Sequence, residues 1–266
     1  MDMAIAPLSR KSLVKAMWSA SGTASEAVLP GVTVPDSHVE FVFHLADPWR
    51  MCRTDKPGWQ PQPRAFVLAQ SHGALRFAGE GTTSIAAFRV TPVVACAILG
   101  RPVHDIWNEP VALRDLVGTD ADALCERLRT ATANERFSIL EVWIEGRLKN
   151  WSAEHFDLQR LFSRVMWSLP SDGLAGLSKQ LGWSDRGLRR VIGQATGLSP
   201  KGVQLAGRHL DACALLRERS ELDITEIAGR IGFFDHAAFT HSFRKCVGMT
   251  PSQFRAESDA FYERRP

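Results

Sequence analysis

Roughly the last hundred residues carry one unit twice: a short amphipathic helix, a glycine-centred turn, and a second helix with a polar outward face. The first copy reads Leu174 to Leu181, turns at Gly182-Trp183-Ser184, and continues from Asp185 to about Ala195. The second reads Ile224 to Ile231, turns at Gly232-Phe233-Phe234, and continues from Asp235 to about Val247. Glycine permits a turn that a side chain would obstruct. Two such units in tandem predict two rods presented side by side to two successive major-groove segments of DNA.

In the first copy Leu174, Leu177 and Leu181 share the inner face of the support helix, and Leu188, Val191, Ile192 and Ala195 share that of the next. Ser184 has the chemistry of an N-cap. Arg186, Arg189, Arg190 and Gly193 fall on the opposite stripe. Three guanidinium groups on one face repel one another in isolation. Beside phosphates and guanine edges they are satisfied, because arginine engages both bidentately. An ordinary solvated basic face is the bland alternative; the glycine turn and the cap argue against it.

In the second copy Ile224, Ile227, Ala228 and Ile231 face inward, Asp235 is the cap, and Phe239, Phe243 and Cys246 follow on the buried stripe. His236, Ala237, Thr240, His241 and Arg244 point outward. Ala237 and the Thr240 methyl suit a thymine methyl, and the histidines can donate to bases or phosphates. Between the copies, Ser199-Pro200-Lys201 opens a segment reaching about Glu218, where Leu205, Leu210 and Leu215 predict a single helix. At 1.5 Å per residue it is roughly 26 Å long. A strut of that size can hold two reading helices about one DNA turn apart.

Charge is distributed in the same sense. From residue 160 onward there are 16 Lys+Arg against 11 Asp+Glu, whereas residues 1–159 hold 16 against 18. A basic excess in this region favours a polyanionic partner. The five cysteines (Cys52, Cys96, Cys125, Cys213, Cys246) form no close pair and read as buried reduced thiols. No apolar run approaches the ~20 residues of a membrane span, and Arg10, Lys11 and Lys15 break any leader-like stretch. The expectation is a cytoplasmic protein.

The front hundred residues read as β-rich. Val39 to Leu45 alternates, and Arg64 to Gln70, Ala74 to Phe77 and Ile85 to Val90 are further short strands. Pro and Gly clusters at 30–36 and 79–81 separate strands, and Asp47 to Pro63 reads as a long loop. From Thr91, with Pro92 behind it and Gly100 at the end, the pattern turns helical. Thr119 and Asn134 are the expected caps of two more helices, the second striped by Phe137, Leu140, Ile144 and Leu148. A further stripe, Leu158, Leu161, Phe162, Val165 and Leu169, precedes a break at Pro170 to Gly173.

His38, Glu40 and His44 share one face of the first strand and are the candidate ligand-binding residues of the front half. Their types suit a transition metal. However, six residues of strand span about 20 Å, so His38 and His44 cannot meet at one ion on a straight strand. Surface or pocket-lining polarity is the competing explanation. There is no G-x-S-x-G, P-loop or dinucleotide fingerprint. Neither a metal, a cofactor nor a catalytic residue is assigned.

Gly182 to Lys201 and Ile224 to Arg255 resemble the C-terminal DNA-binding domain of AraC/XylS-type transcription regulators. The first set is Gly182-Trp183-Ser184, Leu188, Arg190, Ile192 and Gly197-Leu198-Ser199-Pro200. The second is Ile227-Ala228, Gly232-Phe233, Phe239, Phe243-Arg244, Gly248-Met249-Thr250-Pro251 and Phe254-Arg255. The resemblance implies base contacts from Arg186, Arg189 and Arg190 in one helix and from His236, Ala237, Thr240 and His241 in the other. Two positions depart from the pattern: His241 replaces a usual Arg, and Ile192 replaces a frequent aromatic. Pro35 to Leu45, Ala87 to Pro92 and Leu99-Gly100 are similar to a sensor-like domain found in front of some such DNA-binding domains, with Ser37 where that domain usually has Gly.

The expected architecture is α+β. It has a β-rich sensor domain at 1–100, a helical connector at 101–168 suited to dimerisation, an all-α domain at 169–258 with two helix-turn-helix units joined by a linker helix, and a tail at 259–266. The expected function is a sequence-specific DNA-binding transcription regulator, not an enzyme. Double-stranded DNA is the partner; RNA polymerase, a small-molecule effector at the front domain and a second copy of the chain are further candidates. A cupin-like metal-dependent enzyme or small-molecule binder with an accessory DNA-binding domain is the alternative.

Overall fold

The computed structural model describes residues 2–6, 13–24, 38–54, 56–69, 75–106, 109–196 and 198–262. The turn clusters expected at 30–36, the Pro35-Asp36-Ser37 motif, Gln70, Ala74, Gly197 and the end of the tail at 263–266 lie outside the described residues.

The front half is built on a six-stranded antiparallel sheet in the order β1-β2-β8-β3-β6-β9, with β1 Asp2–Ile5, β2 Val14–Ala24, β3 Val39–His44, β6 Ala65–Ala69, β8 Gly81–Val90 and β9 Val111–Ala112. A second sheet has three strands in the order β5-β4-β7, with β4 Arg50–Arg53, β5 Lys56–Pro61 and β7 Leu75–Ala78. Alternation places Val39, Phe41 and Phe43 on the buried face of β3, where Phe41 stacks on Phe88 of β8 at 4.5 Å. The sequence expected a loop from Asp47 to Pro63; the structure instead forms the β4–β5 hairpin there. Its proline- and glycine-rich strand β5 lies at a sheet edge, where a missing N–H costs no ladder bond. Strand β2 was not foreseen, because its Ala, Ser and Gly content gives a weak alternating signal.

Helix α1 (Pro92–Leu99) begins at Thr91, whose side chain accepts from the Val94 N–H, and ends at Gly100 in the left-handed region, as expected. Helices α2 (Leu113–Val117), α3 (Asp120–Thr130) and α4 (Ala133–Arg147) follow. Thr119 precedes α3 without a side-chain cap bond, and Asn134 lies inside α4. The cap of α4 is Thr132, which closes a capping box with Glu135. The sequence reading placed a connector at 101–168. In the structure Leu113, Leu124, Leu128, Leu140 and Ile144 share one core with Met17, Phe41, Phe88 and Ile98, so the helices to 147 close the open face of the sheet. The buried Arg136 of α4 ties the layers together: Nη1 donates to Ser19 Oγ at 3.0 Å and Nε to the Leu128 carbonyl at 3.1 Å.

Helix α5 (Ala153–Leu181) is interrupted at Gly173 (φ 68°, ψ 178°), at the expected break. Then come α6 (Asp185–Thr196), α7 (Pro200–Glu218), α8 (Ile224–Arg230), α9 (His236–Val247) and α10 (Pro251–Tyr262). Among the described residues no helix is long and apolar enough to cross a membrane.

Candidate nucleic-acid interface

The helical half has two hydrophobic cores and one shared strut. The first gathers Val165, Leu169, Leu177, Leu188, Ile192 and Val203; the second gathers Ala212, Cys213, Leu216, Ile227, Ala228, Phe239, Phe243, Val247 and Phe254. Helix α7 supplies Val203 to one and Ala212, Cys213 and Leu216 to the other. Its apolar stripe sets the spacing of the two units, because neither unit can rotate without unpacking that helix. Leu205, Leu210 and Leu215, from which the helix was read, are only half-buried. His209, in the middle of α7, is buried; its Nε2 pairs with Ser242 Oγ at 3.1 Å, and its ring stacks on Phe233. Burial pushes its pKa down from 6.5 to about 4, so the ring is neutral at pH 7.

Both turns begin alike. The N–H of Trp183 donates to the Ser178 carbonyl at 3.1 Å, that of Phe233 to the Ala228 carbonyl at 2.9 Å, and Gly182 and Gly232 have φ of 65° and 80°. These are Schellman closures, which need a left-handed residue and hence glycine. Arg208 of α7 locks the second by donating to the Gly232 carbonyl at 3.1 Å. The turns then diverge. Ser184 caps α6 by accepting from the Gly187 N–H at 3.2 Å, two residues after its glycine. Asp235 caps α9 by accepting from the Ala238 N–H at 2.6 Å, three residues after its own.

Most of the side chains expected to face outward are exposed. On α6, Leu188 and Ile192 are buried while Arg186, Arg189 and Arg190 are exposed. On α9, Phe239 and Phe243 are buried while His236, Ala237, His241 and Arg244 are exposed. Thr240 is half-buried, with its hydroxyl oxygen shielded from solvent. The first face carries three positive charges and the second one, plus two histidines. Such surfaces suit phosphates and base edges.

The back of α6 borders a crevice of about 650 Å³ between it, α1 and α5, lined by Val93, Ala97, Leu158, Phe162, Val191 and Gln194 among others. The front half therefore reaches the reading helix from behind and leaves its arginine face clear.

His38, Glu40 and His44 each have different surroundings. Glu40 is paired with Arg89 across the strand register, at 3.1 Å from its Nε. His44 is buried against Gln62, with Nε2 2.8 Å from Oε1, and burial lowers its pKa. His38 instead borders a small hollow with Lys15, Thr91 and Trp167. Among the described residues no group of three or more His, Cys, Asp or Glu is placed to hold a metal ion.

Comparison with known proteins accords with this geometry. The helix-turn-helix domain family matches residues 177–257. The HTH-type transcriptional regulator ExsA of Pseudomonas aeruginosa is 26% identical over 207 residues, 76% of this chain and 70% of its own. The HTH-type transcriptional activator RhaS of Escherichia coli O1:K1 / APEC is 31% identical over 128 residues, 48% of this chain and only 38% of its own. Among solved structures, the DNA-binding domain of AdpA in complex with a target DNA is 28% identical, covers 41% of this chain and 97% of its own, and has a TM-score of 0.36. ToxT of Vibrio cholerae O395 covers 91% of this chain and 97% of its own at 9% identity and a TM-score of 0.45. Residues 177–257 are thus a tandem helix-turn-helix domain of the AraC type, the class of domain by which transcription regulators bind DNA.

Proposed function

We propose that this chain is a sequence-specific transcription regulator that inserts α6 and α9 into adjacent major-groove segments of one duplex. The observation that carries the reading is the exposed Arg186, Arg189 and Arg190 face, backed by buried Leu188 and Ile192 on a helix clamped to a shared strut. Phosphate contacts supply most of the affinity and set a steep salt dependence. The arginines of α6 and His236, Ala237, Thr240, His241 and Arg244 of α9 supply base and backbone contacts.

The reading includes cytoplasmic action on double-stranded DNA, with RNA polymerase as a protein partner and a small-molecule effector acting through the front half. An occupant of the crevice behind α6 would touch the helix that bears the three arginines, which supports such control.

The test is selection of bound duplexes from a random pool. Two half-sites about one helical turn apart, preferred over random duplex by ~10³ or more, support the reading. Recovery of unselected sequence with no preference refutes it.

A further inference from the structure

The two units differ by one residue, and that residue is Phe234. From the turn glycine to the first buried side chain of the next helix, the first unit runs Gly182 to Leu188 and the second Gly232 to Phe239, one position longer. Both helix ends close with the same bond from the residue after the glycine, and Phe233 turns inward onto His209 and Phe239, with ring centroids 6.1 and 5.4 Å away. Asp235 then caps α9. Phe234 is left between them and is fully exposed, at 101%. Phe239, Phe243 and Phe254 of the same unit are each below 2%. A phenyl ring in water forgoes the gain of burial. It stands directly before the N-terminus of α9, the end of a reading helix that meets base edges. Its neighbours on the outward side are His236 and Ala237, both exposed.

We infer that Phe234 is a specificity-determining residue of the second unit: its ring covers a thymine methyl at the edge of the major-groove segment read by α9. The contact is apolar, so DNA is recognised there by the one base that presents a methyl group in that groove. The inference rests on the DNA-binding reading above.

The experiment uses the full chain and a duplex recovered from random-pool selection, with affinity read by fluorescence anisotropy. Each thymine of the second half-site is replaced in turn by deoxyuridine, which removes only the methyl. For the wild type, one replacement should weaken binding about three- to tenfold, the effect of losing one or two buried methyl-sized contacts. F234A should show a loss of the same size on the parent duplex and no response to that replacement. The salt slope should be unchanged, because no phosphate contact is lost, and melting should be unaffected at so exposed a position.

F234A that binds the selected duplex as the wild type does, or that still senses the missing methyl, overturns the inference while leaving DNA binding intact. Unchanged DNA affinity with lost transcription in a reconstituted system also overturns it, because the ring would then face a protein. A wild-type chain that enriches no sequence overturns the underlying reading together with this one.

Discussion

Thr54, in the turn of the β4–β5 hairpin, packs on the α-carbon of Gly248, the left-handed C-cap of α9 with φ 86°. A Cβ at position 248 would fall on the Thr54 side chain. The smaller sheet of the front half therefore touches the second reading unit, while α1 and the crevice meet the first. The front half thus meets the two units through different elements.

Gly248→Ala should be destabilising for two separable reasons: the left-handed backbone, costing about 1–2 kcal/mol, and the overlap with Thr54. Urea unfolding of G248A, T54G and the double variant measures both. The double variant should recover the overlap part alone, giving a coupling energy of about 0.5–3 kcal/mol. Strict additivity would show that the hairpin does not rest on α9 in solution.

Arg190→Ala should weaken binding to the selected duplex by about 1–3 kcal/mol if the side chain reads a base. If it meets only phosphate, the loss is similar on all sequences and the salt slope falls by about one unit. Arg190 is exposed, so the melting temperature should hold. Binding unchanged in both respects would remove this face of α6 from the interface.

Stability should fall on mild acidification. Burial lowers the pKa of His209 from 6.5 to about 4 and also lowers that of His44. The folded state thus favours the neutral rings, and between these values the unfolded chain binds more protons. The contribution is fully present above the unfolded pKa of about 6.5 and is lost as pH falls toward 4, by on the order of 3 kcal/mol for His209. Unfolding midpoints at pH 7.5 and 5 check this, with His209→Gln as the control whose pH response should flatten. An equal response in both proteins would exonerate His209.

Arg136→Ala should cost about 2–4 kcal/mol, because it strands the Leu128 carbonyl and opens a void between α4 and β2. Ser19 Oγ still donates to the Ile85 carbonyl at 3.1 Å and loses only one partner. Chemical denaturation followed by tryptophan fluorescence reports the loss. A shift below about 0.5 kcal/mol would mean that the guanidinium contributes little to the front domain.

The reading units were legible because their signals are local. Gly182 and Gly232 mark the turns, Ser199-Pro200 marks the start of the strut, and the periodicity of Leu188 and Ile192, or Phe239 and Phe243, assigns the inner faces without reference to anything distant. The front half was legible only in part. Val39 to His44 alternates cleanly. By contrast, the Ala- and Ser-rich β2 becomes a strand through a partner far away in sequence, as in the pairing of Ala20 with Ile85, and the proline-bearing β5 through its hairpin with β4. For His38, Glu40 and His44, alternation shows which residues share a face but not what engages them: Arg89, which pairs with Glu40, arrives from β8, and Gln62, which pairs with His44, from the segment between β5 and β6.

By itself the sequence determined that two polar-faced helices follow glycine turns on a common linker, since helix periodicity and capping act over a few residues. Only the tertiary structure decided that the helices to Arg147 close the front sheet, that Thr54 reaches Gly248, and that one extra turn residue leaves Phe234 in water. Those outcomes depend on which surfaces meet across long stretches of chain, and burial at such contacts is fixed only when the whole fold is assembled.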